Sequence, residues 1–311
     1  MIPTFPEFKK IEISDQAEIE NFTKDFPPYS DFDFVALFCW DVNEKRKISM
    51  LNGNLVVRST CDMTGKEFLT FLGVQQVTET VRELLRYSQK AGLKRELRMI
   101  PQETTNFCSD HTLRLRIKED RDNFDYIYSL DDLRNYADPK YSRIRNKYKK
   151  FLKEYEHHHR IVEFEISDKD FQGHLAYLWK EWCDVKEMYS EKESVAFHRL
   201  IGNASSFDLM NIMIFVDDTP IGFSINNIIN GGYAINCFTK TSFLYRGANQ
   251  LLMSETARGL ISRGCKFLNF EEDLGLPGLR RAKETYKPTF FLKKYNVKKS
   301  SLFQKILNVI Q

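Results

Sequence analysis

The chain has 311 residues, with 42% hydrophobic and 14% aromatic side chains and a net charge of +3 from 46 Lys+Arg against 43 Asp+Glu. That supply of apolar surface suits domain-sized cores and excludes disordered, collagenous and low-complexity architectures. At roughly 100–200 residues per domain the length corresponds to two domains or one large one.

No apolar run reaches the roughly 18 residues that a membrane span requires, and Met1–Lys10 lacks the apolar stretch of a signal peptide. The six cysteines (Cys39, Cys61, Cys108, Cys183, Cys237, Cys265) are dispersed without a C-x-x-C pair, the usage of buried thiols in a cytoplasmic protein.

In chain order, Asp33–Trp40 reads as a buried strand because Phe34-Val35-Ala36-Leu37-Phe38 is continuously apolar. Lys47–Leu51 and Leu55–Arg58 flank Asn52-Gly53-Asn54, a strong hairpin signal. Phe68–Leu72 is a further strand. A helix then carries Val77, Val81, Leu84, Leu85 and Ser88 at helical spacing up to Gly92, and a strand over Arg95–Ile100 stops at Pro101. Lys118–Asp125 is charged and loop-like, and it places a boundary between domains 1–125 and 126–311.

Asp138 and Pro139 suit the N-cap and first position of a helix reaching about Tyr155. Its apolar stripe is Tyr141, Ile144, Tyr148, Phe151, Leu152 and Tyr155. A helix is expected over about Phe171–Tyr189, with Trp179 and Trp182 as core side chains. The second half then repeats the pattern of the first: strands at Asn211–Val216, Ile221–Ile229 and Tyr233–Thr239, a helix over Ala248–Arg263 ending at Gly264, and a short strand at Phe267–Phe270. Two antiparallel meanders, each feeding a helix and a further strand, predict a duplicated α+β unit.

Chemistry concentrates in Asn269–Lys283. Glu271, Glu272 and Asp273 end a short apolar strand, Gly275, Pro277 and Gly278 force an irregular loop, and Arg280, Arg281 and Lys283 follow. A desolvated carboxylate there suits proton acceptance from an attacking amine or hydroxyl, with the cations holding phosphate or carboxylate. The alternative is that the acids neutralise the neighbouring cations and fix the loop. No Cys–His pair or G-x-S-x-G indicates covalent catalysis. His157-His158-His159 are consecutive and do not converge on one metal, and His111, His174 and His198 are isolated, so no metal site is expected.

The runs NFEEDLGLPGLRRAKETYKPTFFLKKY (Asn269–Tyr295), PPYSDFDFVALFCWD (Pro27–Asp41) and YSRIRNKYKKFLKEY (Tyr141–Tyr155) resemble the phosphatidylglycerol lysyltransferase C-terminal-like family, many members of which are catalogued only as a domain of unknown function. The resemblance implies an α+β fold of two tandem domains of the Gcn5-related N-acetyltransferase (GNAT) type, each a mixed sheet flanked by helices. It also implies transfer of an amino acid from aminoacyl-tRNA to a lipid headgroup, peptide or other amine or hydroxyl acceptor. On that reading Glu271, Glu272 and Asp273 position the amine or take the proton. Arg280, Lys283 and Arg246 hold phosphate or carboxylate, Asn269 and Tyr286 orient the substrate, and Asn249 belongs to the same site. Relatives that use acetyl-coenzyme A carry a glycine-rich loop before the helix that follows the meander. Here that stretch is Tyr245-Arg246-Gly247-Ala248-Asn249-Gln250 with a single glycine, so a coenzyme A thioester is the less favoured donor and no bound cofactor is expected.

Residues 139–160 hold eight Lys/Arg against two acids, and 278–299 hold eight against one. Lys140, Arg143, Arg145, Lys147 and Lys150, interleaved with tyrosines, suit tRNA phosphates; equally they form a solvated helix face. In the tail, Leu302, Phe303, Ile306, Leu307 and Ile310 share a helical face behind Lys293, Lys294, Lys298 and Lys299. That pattern fits either peripheral contact with an anionic membrane, at the inner membrane surface of a cytoplasmic protein, or a helix closing the sheet. A binding module for lipid headgroup or nucleic acid, and a coenzyme-A-dependent N-acyltransferase, are the competing functional readings.

Overall fold

The computed structural model describes residues 1–42, 44–61, 63–108, 115–185, 190–229 and 231–299. The expected tail helix over Leu302–Ile310, together with Asn230, His111 and Tyr189, lies outside the described residues. The elements run β1 (Lys9–Lys10), α1 (Gln16–Thr23), α2 (Phe34–Cys39), β2 (Lys47–Leu51), β3 (Asn54–Thr60), β4 (Glu67–Leu72), α3 (Val77–Lys90), β5 (Glu96–Pro101), α4 (Gln102–Thr105) and β6 (Leu115–Glu119). They continue with β7 (Asp125–Ser129), α5 (Leu130–Leu133), α6 (Ser142–Glu154), β8 (His159–Glu163), α7 (Lys169–Val185), α8 (Ser190–Gly202), β9 (Leu209–Val216), β10 (Thr219–Ile229), β11 (Tyr233–Thr241), α9 (Ala248–Ser262), β12 (Phe267–Asn269), α10 (Pro277–Thr285), β13 (Phe290–Leu292) and β14 (Lys294–Lys299).

The chain forms two compact units. One comprises residues 1–32, 43–124 and 292–311, the other 33–42 and 125–291. In the first, the sheet order is β1-β2-β3-β4-β5-β14-β6, with β2–β4 an antiparallel meander and β5 parallel to β4 at Leu69 and Leu97. The Asn52-Gly53 turn joins β2 to β3 with both residues at positive φ, as a tight hairpin demands. Helix α3 buries Val77, Val81, Leu84 and Leu85 against that sheet. Strand β14 pairs with both β5 and β6, so the end of the chain completes the sheet of its beginning. Lys294, counted from sequence among the cations leading into the tail, is instead fully buried in this unit and ion-paired with Asp31. Lys118 and Glu119, expected in a loop, close strand β6.

The second unit repeats the arrangement, with sheet order β13-β7-β12-β11-β10-β9-β8. Strands β9–β11 form the meander, α9 buries Leu251, Leu252, Ala257 and Leu260, and β12 is parallel to β11. Asp138 caps the turn into α6, its carboxylate accepting the Lys140 N–H at 2.8 Å, and Pro139 follows at the first position. Ile144 and Phe151 of α6 are buried in the same core as α9.

Residues 34–39, expected as a strand, are helix α2. An unbroken apolar run has no period, so it does not distinguish a buried strand from a short helix buried on most sides. The deciding signal is Asp33, whose carboxylate accepts the Ala36 N–H at 3.0 Å and starts the helix. The expected helix 171–189 begins earlier, at Lys169, and is described as far as Val185 as α7; residues 186–189 lie outside the described residues.

Candidate active site

The candidate site lies where the sheet of the second unit opens. Strands β11 and β12 pair only from Tyr233/Phe267 to Ile235/Asn269. Beyond that point β11 bulges, with Ile225 opposite Phe238 but Asn226 opposite Asn236, which leaves Cys237 as the extra residue. The buried amides pin this bulge: Asn236 donates to the Asn226 side-chain oxygen at 2.8 Å, Asn226 to the Met210 carbonyl at 3.1 Å, and the Thr239 hydroxyl to Asn236 at 2.9 Å.

The segment after β12 follows β7 instead. The Phe270 N–H donates to the Tyr126 carbonyl at 2.9 Å, and the Tyr126 N–H donates to the Glu271 carbonyl at 3.1 Å. Glu271 takes a positive φ of 55°, a costly conformation for a residue with a Cβ, and its N–H is held by the Asn269 side chain at 2.8 Å. Asn269, itself fully buried, donates to Asp125 at 3.1 Å.

The three acids separate into distinct roles. Asp273 is fully buried and accepts from Tyr126 Oη at 2.5 Å, Arg280 Nε at 2.9 Å, Arg280 Nη2 at 2.7 Å and the Gly275 N–H at 2.9 Å. Burial alone would push its pKa up, but the bonds from Arg280, Tyr126 and Gly275 outweigh it and hold the carboxyl below its usual range. Asp273 and Arg280 therefore form an ion pair that anchors the loop, with the Arg280 side chain 31% exposed.

Glu271 is the opposite case. It keeps some accessible surface yet sits deep among protein groups, and burial pushes its carboxyl well above the ordinary value. Glu272, Asp125 and Asp33 push it the same way, against the attraction of Lys283. Lys283 is buried, and its ammonium donates to the Phe270 and Glu272 carbonyls on either side of Glu271, each at 2.5 Å. Burial pulls the Lys283 pKa down. Glu272 is half-buried beside them.

Asp33, Asp125, Asn227 and Cys237 complete the surroundings and were not singled out by sequence. Asn227 donates to Asp33 at 3.0 Å, and Asp33 at the same time caps α2. The available signal was an amide pair, Asn226-Asn227, inside a largely apolar strand. Burial pushes the Cys237 thiol well up and the Cys39 thiol to about 12, so neither supplies a thiolate near neutral pH.

The remaining sequence candidates divide. Tyr286 and Asn249 do meet, the tyrosine hydroxyl donating to the Asn249 side chain and accepting from Gln250 at 3.1 Å, but Tyr286 belongs to the core covered by α9. Arg246 is exposed in the β11–α9 loop. The single glycine there is required by packing: Gly247 has φ 104°, and a Cβ would meet the Lys147 carbonyl at 2.7 Å and Phe151 at 2.9 Å. In the turn before α6, Lys140 binds Asp132 at 2.9 Å, and on α6 Arg145 donates to the Tyr136, Ala137 and Asp138 carbonyls. Arg143, Lys147 and Lys150 are exposed, whereas Tyr141, Tyr148 and Tyr155 pack on the core. Among the described residues no group of three His, Cys, Asp or Glu is placed to hold a metal ion, and no helix is long and apolar enough to cross a membrane.

Residues 27–298 match the family described as phosphatidylglycerol lysyltransferase, C-terminal. The chain belongs to this family. Among solved structures it is similar to a conserved protein of unknown function from Bacteroides thetaiotaomicron VPI-5482, with 23% identity, 96% of this chain and 100% of that one covered, and a TM-score of 0.83. It is also similar to L-PGS from Bacillus licheniformis, with 15% identity, 99% and 97% coverage, and a TM-score of 0.59. A tandem GNAT protein from the clavulanic acid biosynthesis pathway aligns at 9% identity, 94% and 98% coverage, and a TM-score of 0.50. No curated protein matches the sequence. The fold is thus the α+β tandem GNAT type, two mixed sheets flanked by helices.

Proposed function

We propose that this protein is an aminoacyltransferase that moves an amino acid from an activated ester, aminoacyl-tRNA being the donor class, to an amine or hydroxyl acceptor such as a lipid headgroup or peptide. The observation that carries this reading is Glu271: a deep but reachable carboxyl at the opening between β11 and β12, surrounded by Asp33, Asp125 and Glu272. Acidic surroundings suit a cationic amine, and burial makes the Glu271 carboxylate a stronger base.

In the transfer, the acceptor nitrogen or oxygen attacks the ester carbonyl carbon while Glu271 takes its proton. The ester C–O bond then breaks, and the proton passes to the departing ribose oxygen. Asp273, Arg280 and Asn269 act as scaffold, holding the loop so that Glu271 keeps its strained backbone, and Lys283 moderates its charge. The high thiol pKa values at Cys39 and Cys237 favour direct transfer in a ternary complex. The packing role of Gly247 supports an ester donor over a coenzyme A thioester, because the one glycine of that loop is already accounted for.

The test is single-turnover transfer of radiolabelled amino acid from a pool of charged tRNA to extracted lipids and to amine acceptors, with acetyl-coenzyme A as competitor. Glu271→Gln should slow transfer by about 100-fold or more while the protein stays folded. A fully active Glu271→Gln enzyme, or inhibition by acetyl-coenzyme A at stoichiometric occupancy, overturns the reading.

A further inference from the structure

The loop joining β11 to α9 presents an apolar apex. Phe243 is 54% exposed and its neighbour Leu244 is 83% exposed. Among the described residues the other large exposed apolar side chains stand singly along the sequence. Adjoining exposed apolar side chains rimmed by polar residues are where a contact surface is looked for.

The apex is held firmly from both sides. Ahead of it, the Ser242 hydroxyl donates to Glu181 at 2.5 Å, the Ser242 N–H donates to the Ile221 carbonyl at 2.8 Å, and the Leu244 N–H reaches back to Ser242 at 3.3 Å. Behind it, the Tyr245 ring packs on Tyr155 at 5.6 Å and Gly247 rests on the Lys147 backbone. The loop therefore points Phe243 and Leu244 outward by construction.

That anchoring also places the apex beside α6. Arg143, Lys147 and Lys150 recur at i, i+4 and i+7 on one face of that helix and are exposed, as is Arg246 in the loop itself. An apolar tip flanked by cations matches a bilayer surface, where the tip enters the headgroup–acyl boundary and the cations meet lipid phosphates. Nucleic acid suits the surface less well. Phe243 offers a single exposed ring, Leu244 beside it offers none, and Tyr141, Tyr148 and Tyr155 are packed inward, so no series of rings is available for successive bases.

We propose that the β11–α9 loop, with Phe243 and Leu244 at its tip and Arg143, Lys147, Lys150 and Arg246 alongside, docks the protein on an anionic lipid bilayer. The surface is independent of the transfer chemistry, so Glu271→Gln should bind vesicles as the wild type does.

The experiment is co-sedimentation of the full chain with sucrose-loaded vesicles of one part phosphatidylserine to two parts phosphatidylcholine, against vesicles of phosphatidylcholine alone. Phosphatidylserine keeps recognition of a glycerol headgroup out of the readout. Wild type should bind the mixed vesicles, weaken with salt, and bind phosphatidylcholine at least about tenfold less. The double variant Phe243→Ser/Leu244→Ser should bind the mixed vesicles about tenfold less or weaker still, and Lys147→Glu/Lys150→Glu should lose salt-sensitive binding. All of these positions are exposed, so unchanged melting curves are the folding control. Equal binding by the double serine variant, equal binding to both vesicle types, or no binding by wild type overturns the proposal. Retention of tRNA that the lysine variants abolish, with vesicle binding absent, assigns the surface to nucleic acid instead.

Discussion

Replacing Asp273 by Asn separates a scaffold from a catalyst. The side chain is fully buried and accepts from Tyr126, from two nitrogens of Arg280 and from the Gly275 N–H. Asn keeps one acceptor oxygen and turns an amide towards donors, so about two charge-assisted bonds are lost, at roughly 1.5–3 kcal/mol each. Arg280 is 31% exposed, which returns part of that loss through solvation and leaves about 3–5 kcal/mol. With a urea m-value of about 2 kcal/mol/M, the unfolding midpoint should fall by about 1.5–2.5 M. The loss should also depend on pH with a definite sign. Because the folded state depresses this carboxyl, its contribution is complete above the unfolded value of about 3.9 and disappears as pH falls through the folded value. Wild type and variant should therefore converge in acid. A midpoint within about 0.5 M of wild type, together with abolished transfer, would refute the reasoning and return Asp273 to the proton-transfer chemistry.

Glu271→Gln should behave in the opposite sense. Burial raises the folded pKa of Glu271, so its contribution is complete below the unfolded value of about 4.3 and is eroded as pH rises through the folded value; the variant should gain stability relative to wild type between mildly acidic and alkaline pH, read as melting temperatures. A variant that falls progressively behind would mean that attraction to Lys283 prevails. Gly247→Ala combines a positive φ with a clash against the Lys147 carbonyl and should cost about 2–4 kcal/mol in urea unfolding; a loss below about 1 kcal/mol would show that α6 yields easily. Lys294→Ala leaves the largely covered Asp31, 17% exposed, without this ammonium and should cost about 3 kcal/mol by the same assay, whereas a neutral result would mean that water replaces the lysine.

Much of the fold was legible locally because local physics encodes it. Asn52-Gly53 marked the first hairpin, Asp138-Pro139 marked the entry into α6, and the periodicities of α3 and α9 matched their buried faces. The meander–helix–strand repeat gave the duplicated architecture, and the acidic run after β12 named the loop on which the candidate site is built. Residues 34–39 escaped because an apolar run without a period is silent on the choice between strand and helix, and only Asp33 carried the signal.

The division of labour within the acidic loop depended on partners far away in sequence. Asp273 became scaffold because Tyr126, 147 positions earlier, reaches it, and because Arg280 lies against it. Glu271 became the perturbed group because Asp33 and Asp125 converge on it and a strained backbone holds it at the open end of the sheet. Lys294 looked like one more tail cation, yet it is buried on Ser30, 264 positions away. Sequence thus set the elements and the composition of the site, since caps, turns and periodicities act within a few residues. Tertiary structure decided which carboxyl is pushed up and which is held down, because burial and charge are properties of neighbours that only folding brings together.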